Sequence, residues 1–243
     1  MHDQELPLIE HLLELRTRLV RAMLALVVGT ALSWLFAEPV LRLIIRPLGG
    51  TPQAIHPTEN IMVYFKVMLI LGVTIAMPVI VYQFIRFLLP ALLPHEKKYL
   101  NFLIPGATIC FASGVAFAAL IMLPGMITFM QSFLADLVEN RWTIESYVSF
   151  VTFVMFWMGI LFQMPLVIFF LAKLNVVTAK QLGQARRWAI MASAVVAAVV
   201  TPSHDPINMI ILMIPLVVLY ELGVFLARFA QPKEQEGAEA FSV

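Results

Sequence analysis

Few side chains in this sequence can do chemistry, and the acidic ones among them are oddly placed. Glu14 lies in HLLELRTRL (residues 11–19), flanked by Arg16 and Arg18, just before a long apolar run. Read as a helix, Leu8, Leu12, Leu15 and Leu19 fall on one face, and Glu10, Glu14, Arg18 and Arg21 on the opposite one. Glu96 sits beside His95, Lys97 and Lys98, behind Pro90 and Pro94, in LLPALLPHEKKYL (88–100). Two carboxylates on one surface can grip guanidinium groups bidentately, a geometry that arginine fits and lysine does not. The plainer alternatives are a Glu14–Arg18 pair at i,i+4, worth about 0.3–0.5 kcal/mol, and a solvated loop charge at Glu96.

Three further polar residues lie in or beside apolar segments. Glu221 has Arg228 seven residues on as its expected partner. Gln163, just before Pro165, falls in the middle of an apolar run, where a polar group must face protein or a water-filled pocket. Asp205, in TPSHDP, suits the start of a helix.

No zinc-protease, serine-hydrolase or phosphate-loop signature is present in the sequence, and the five histidines lack ligand spacing. The single cysteine, Cys110, can form neither an internal disulfide nor a cysteine cluster. The reading is therefore of a protein without catalytic, metal or cofactor sites. A net charge of +1, with basic residues scattered along the chain, argues against nucleic acid as a partner. A small-solute or ion transporter of the inner membrane is the alternative. It would require a midplane polar site or a relay of buried ionisable groups, and only Gln163 and Glu221 lie at depth.

The elements that must position these groups are membrane spans. Of 243 residues, 61% are hydrophobic and 13% charged, with a mean hydropathy of +0.90, far from soluble composition. Six apolar segments are expected near 20–36, 63–89, 100–124, 147–172, 188–201 and 207–227. The fifth has only 14 residues between Arg187 and Pro202, about 21 Å of helix against a hydrocarbon core of about 30 Å. An even number of spans puts both termini on one side. With the termini inside, lysine and arginine favour the cytoplasmic side 12 to 4, the outer four being Arg42, Arg46, Lys66 and Arg141. This orientation puts Glu14 and Glu96 on the same cytoplasmic face.

The first span, which lacks a cleavable signal pattern, is expected to stay as an anchor. The piece EPVLRLIIR (38–46) reads as a short amphipathic helix lying flat in the interface. Prolines at 78, 90, 94, 105, 124, 165, 202, 206 and 215 should bend or end helices. The fold class expected is all-α: a kinked six-helix bundle over residues 1–230 forming a single domain with a concave face and short fifth and sixth spans, and a disordered cytoplasmic tail over 231–243.

Six strings, taken in order, make the sequence recognisable: HLLELRTRL (11–19), RPL (46–48), MPVIVYQFIRFLLPALLPHEKKY (77–99), FQMPLVI (162–168), TPSHDP (201–206) and IPLVVLYELGVFLAR (214–228). Together they resemble TatC, the six-span core of the twin-arginine protein translocase, from about Leu8 to Arg228. The resemblance implies a receptor in the bacterial cytoplasmic (inner) membrane that binds paired-arginine signal peptides of folded precursors. It implies assembly with single-span TatA and TatB subunits, a homo-oligomer within the complex, and transport driven by the proton-motive force. Glu14, Arg16, Phe87 and Glu96 match the family's signal-peptide positions, and the polar contacts to partners are expected around Gln163, Asp205 and Glu221. Two positions depart from the family pattern: Gln163 replaces a common glutamate, and Met209 a common glutamine.

Overall fold

The computed structural model describes residues 8–88, 100–133, 135–137, 142–201 and 205–230. Among these the chain is helical, with one isolated bridge pairing Gln53 and Thr143. The helices are α1 (Leu8–Ile45), α2 (Glu59–Leu88), α3 (Leu100–Phe117), α4 (Leu123–Ser132), α5 (Ile144–Leu161), α6 (Met164–Lys173), α7 (Ala179–Gln184), α8 (Arg186–Val200) and α9 (Pro206–Ala230). Five helical runs are long and apolar enough to cross a bilayer: Glu10–Leu48, Glu59–Phe87, Leu103–Ser132, Ile144–Lys173 and Pro206–Ala230. The expected fifth span is α8, at 15 residues and so about 22 Å long. The last helix, with 25 residues, is not short. Glu96 and the tail over 231–243 lie outside the described residues.

The chain divides into two compact units, where the sequence reading treats 1–230 as one domain: Met1–Ile109 with Trp142–Thr152, and Cys110–Arg141 with Phe153–Val243. In the first, α1 and α2 pack along a seam of small residues. Gly29, Ser33 and Ala37 recur every fourth residue on the buried side of α1, and Ser33 donates to the Met68 carbonyl at 2.8 Å. A Cβ added to Gly72 would stand 2.7 Å from the Thr30 backbone, so glycine sets how near the helices come. Without a hydrophobic drive between helices in lipid, this close contact is the source of cohesion.

The piece EPVLRLIIR (38–46) does not form a separate interfacial helix. It continues α1 through Pro39 up to a short 3₁₀ turn, Arg46–Leu48. Proline removes one backbone bond, while local and tertiary contacts hold the extension. Arg42 bonds Glu38 one turn below, and the Tyr147 hydroxyl donates to the Ile44 carbonyl at 2.5 Å. Lys66, in α2, donates to Ser149 at 2.7 Å and to Glu145 at 3.3 Å.

Of the prolines expected to bend or end helices, Pro78, Pro105 and Pro215 lie inside helices, as does Pro39. Pro124 does not end the third run either; a π turn over Ala118–Met122 leads into α4, carrying helix on to Ser132. The expected fourth span is interrupted at Phe162–Gln163, between α5 and α6. Pro165, in the first turn of α6, cannot donate to the carbonyl four residues earlier.

In the second unit α6 packs on α9 through Ile168, Ala172, Ala227 and Ala230. Gly223 admits Ile168 to the surface of α9, where an added Cβ would meet the Ile168 Cδ1 at 2.6 Å. Thr178 and Gln181 form a reciprocal capping box that starts α7.

Candidate functional site

The first turns of α1 and the last turn of α2 bring three polar or aromatic groups together in the first unit. His11 and Phe87 stack with ring centroids 4.3 Å apart and planes 17° from parallel. His11 Nδ1 stands 4.0 Å from Glu14 Oε2. The other carboxylate oxygen, Oε1, accepts from Arg18, whose Nε lies at 2.8 Å and whose Nη2 also bonds it. The helical period explains the set: residues 11, 14 and 18 stand on one side of α1 at i, i+3 and i+7.

Glu14 is therefore the acid of an i,i+4 ion pair, with 24% of its side chain exposed against 18% for Arg18. Such pairs are weak, because each partner keeps access to water and loses side-chain freedom in the bond. Arg16 is exposed and, two residues beyond Glu14, points to the far side of the helix. Next to Phe87, Arg86 donates to the Tyr82 hydroxyl at 2.9 Å and lies over its ring at 5.4 Å. Chemically, the cluster offers a carboxylate paired with one guanidinium, beside an imidazole that stacks on a phenyl ring. It can exchange one guanidinium for another, and it contains no nucleophile paired with a base.

Of the signal-peptide set expected from the sequence, the structure thus joins Glu14 and Phe87 through His11 and leaves Arg16 on the opposite helix face. Glu96 falls outside the described residues. His11 belongs to none of the expected sets, although its place one turn before Glu14 in the amphipathic pattern signals that it shares that face.

The polar residues of the second unit do not form one constellation. Asp205 caps α9: its Oδ1 accepts from the Asn208 N–H at 2.8 Å and its Oδ2 from the Asn208 amide at 2.7 Å. Glu221 lies 16 residues further along the same helix, about 24 Å away. Its partner is not Arg228 but Arg186 of α8, whose Nε lies 2.7 Å away. Tyr220 donates to the Leu182 carbonyl at 2.7 Å, tying α9 to α7 at the same level. Gln163 stands at the break between α5 and α6, partly buried, and its carbonyl accepts from the Val167 N–H at 2.9 Å.

The family model described as Sec-independent protein translocase protein (TatC) matches residues 10–215. The TatC protein of Aquifex aeolicus is 36% identical, over 95% of this chain and 98% of its own length. That of Carboxydothermus hydrogenoformans is 32% identical, over 98% of this chain and 99% of its own. A crystal structure of the twin-arginine translocase receptor TatC superposes with a TM-score of 0.77 at 34% identity, covering 90% of this chain and 99% of that one. The helical architecture, the ordered motifs and these matches agree: the chain is a membrane protein that belongs to the TatC family of Sec-independent protein translocases.

Proposed function

We propose that this protein is the receptor subunit that recognises twin-arginine signal peptides in the bacterial cytoplasmic (inner) membrane, with six spans and both termini in the cytoplasm. Glu14 binds one guanidinium of the incoming pair, Phe87 and His11 provide the surface on which it lies, and Glu96 binds the second. Arg16 contributes from the opposite face of α1. The observation that carries this reading is the Glu14 carboxylate, paired with Arg18 at 2.8 Å and standing 4.0 Å from the His11 ring that stacks on Phe87. A guanidinium on the signal can take the place of Arg18, whose own guanidinium then turns to water.

Assembly with single-span TatA and TatB subunits follows, around α8 and α9, with Gln163, Asp205 and Glu221 as the polar residues of that side. The complex holds several copies of the chain, and transport draws on the proton-motive force. The test is photocrosslinking from positions 14 and 96 to a twin-arginine precursor. Crosslinks that vanish when the signal's arginines become lysine support the reading; crosslinks indifferent to that change refute it.

A further inference from the structure

The end of α1 remote from Glu14 carries a groove that signal recognition does not use. Trp34, Leu35, Glu38, Pro39 and Arg42, with Tyr64 of α2, line a shallow open space of about 570 Å³. The Trp34 and Tyr64 rings meet edge to face at 5.1 Å, and the Tyr64 hydroxyl donates to the Trp34 carbonyl at 3.1 Å. One turn on, Arg42 donates to Glu38 Oε1 from Nε at 3.1 Å and from Nη2 at 2.7 Å. The Glu38 and Arg42 side chains are still 62% and 78% exposed. Oε2 of Glu38 and Nη1 of Arg42 take no hydrogen bond among the described residues.

Depth identifies the surroundings of this groove. Between Arg21 and Glu38, α1 has 16 uncharged residues, about 24 Å of helix, close to the thickness of a hydrocarbon core. Glu38 therefore meets the headgroup layer, with Trp34 one turn inside at the level that interfacial aromatics favour. Arg42 folds back onto Glu38, so both charges lie at one depth, as the phosphate and amine of a headgroup lying along the surface do. The pair is neutral overall, which offers nothing extra to a purely anionic lipid. Glu38 Oε2 accepts from N–H donors, and the adjacent ring faces attract a cation.

We propose that this groove binds the headgroup of a zwitterionic phospholipid bearing a primary ammonium, in the leaflet opposite Glu14. The phosphate accepts from Arg42, the ammonium donates to Glu38 Oε2 beside Trp34 and Tyr64, and an acyl chain runs down the exposed flank at Leu35. Choline headgroups fit less well because they lack N–H donors.

The test is native mass spectrometry of the full chain in detergent, with phosphatidylethanolamine, its N-methylated series through phosphatidylcholine, and phosphatidylglycerol supplied in equal amounts. Retention should fall stepwise with methylation, and phosphatidylglycerol should be retained about tenfold less than phosphatidylethanolamine, the scale of one charge-assisted contact. Glu38→Gln should abolish the methylation dependence, and Arg42→Gln should lower retention of every phospholipid. Both side chains are solvent-exposed, so neither variant threatens the fold, and an unchanged melting temperature checks this. Equal retention of all headgroups, or a preference that survives Glu38→Gln, overturns the proposal and leaves an ordinary aromatic belt beside an i,i+4 ion pair.

Discussion

Replacing Arg18 with glutamine gives the sharpest separation between a carboxylate that exchanges partners and one that is merely a strut. In the resting protein Arg18 occupies Glu14 Oε1, so a signal arginine must displace it. Helical i,i+4 pairs contribute about 0.3–0.5 kcal/mol, and partly buried ones reach about 1 kcal/mol. Removing the competitor should return that energy to the ligand and tighten peptide binding about 2- to 5-fold. Glu14→Ala instead removes a charged acceptor worth about 1.5–3 kcal/mol, weakening binding about 10- to 150-fold. Fluorescence anisotropy of a labelled twin-arginine peptide with the protein in nanodiscs measures both changes. Raising the salt should shrink them, since the groups are partly exposed. If Arg18→Gln weakens binding as much as Glu14→Ala does, the pair is a rigid scaffold and the exchange argument fails.

Two other predictions concern packing. Gly72→Ala puts a methyl group 2.7 Å from the Thr30 backbone, an overpacking of about 2 kcal/mol, and should lower Tm by about 4–8 °C. Gly125→Ala meets nothing within 4 Å and should hold or raise Tm; equal losses in both variants would refute the account of the α1–α2 seam. His11→Phe keeps an aromatic face on Phe87 and should preserve peptide affinity within about 2-fold, whereas His11→Ala should cost about 3- to 10-fold in the same anisotropy assay, through loss of a ring pair worth about 0.5–1.5 kcal/mol. A His11→Phe defect as large as that of His11→Ala would assign the role to the imidazole nitrogens.

The parts of this fold legible in the sequence are those set by local period. The amphipathic start of α1, the Glu14–Arg18 spacing and the Asp205 cap all follow from helix geometry within a few residues. So do the five long apolar runs. What eluded sequence reasoning depends on groups far apart in the chain or on how prolines are absorbed. Arg186 is 35 residues from Glu221, and no periodicity joins them, whereas Arg228 on the same helix offered an obvious candidate. His11 meets Phe87 only because α1 and α2 pack together. The flat interfacial helix expected at 38–46 gave way to a continuous α1 whose end is tethered by the Tyr147 hydroxyl at the Ile44 carbonyl, 103 residues away. The sequence also gives no mark for the break at Gln163 beyond Pro165, which elsewhere, as at Pro215, sits inside an unbroken helix.

The wide turn over Ala118–Met122, closed by the Leu123 N–H bonding back to the Ala118 carbonyl, amounts to one surplus residue threaded into an otherwise regular helix. Excising a single amino acid there, for instance Leu120, would restore ordinary winding at little backbone cost. Everything downstream would keep its angular place, since five residues now close the turn that four would close after the deletion. Leu123, Met126 and Ile127, at present enclosed, would stay inside. A deletion in the regular winding of α4 would instead turn whatever follows by about 100°, so the wide turn is where this run can give up a residue and still present the same side.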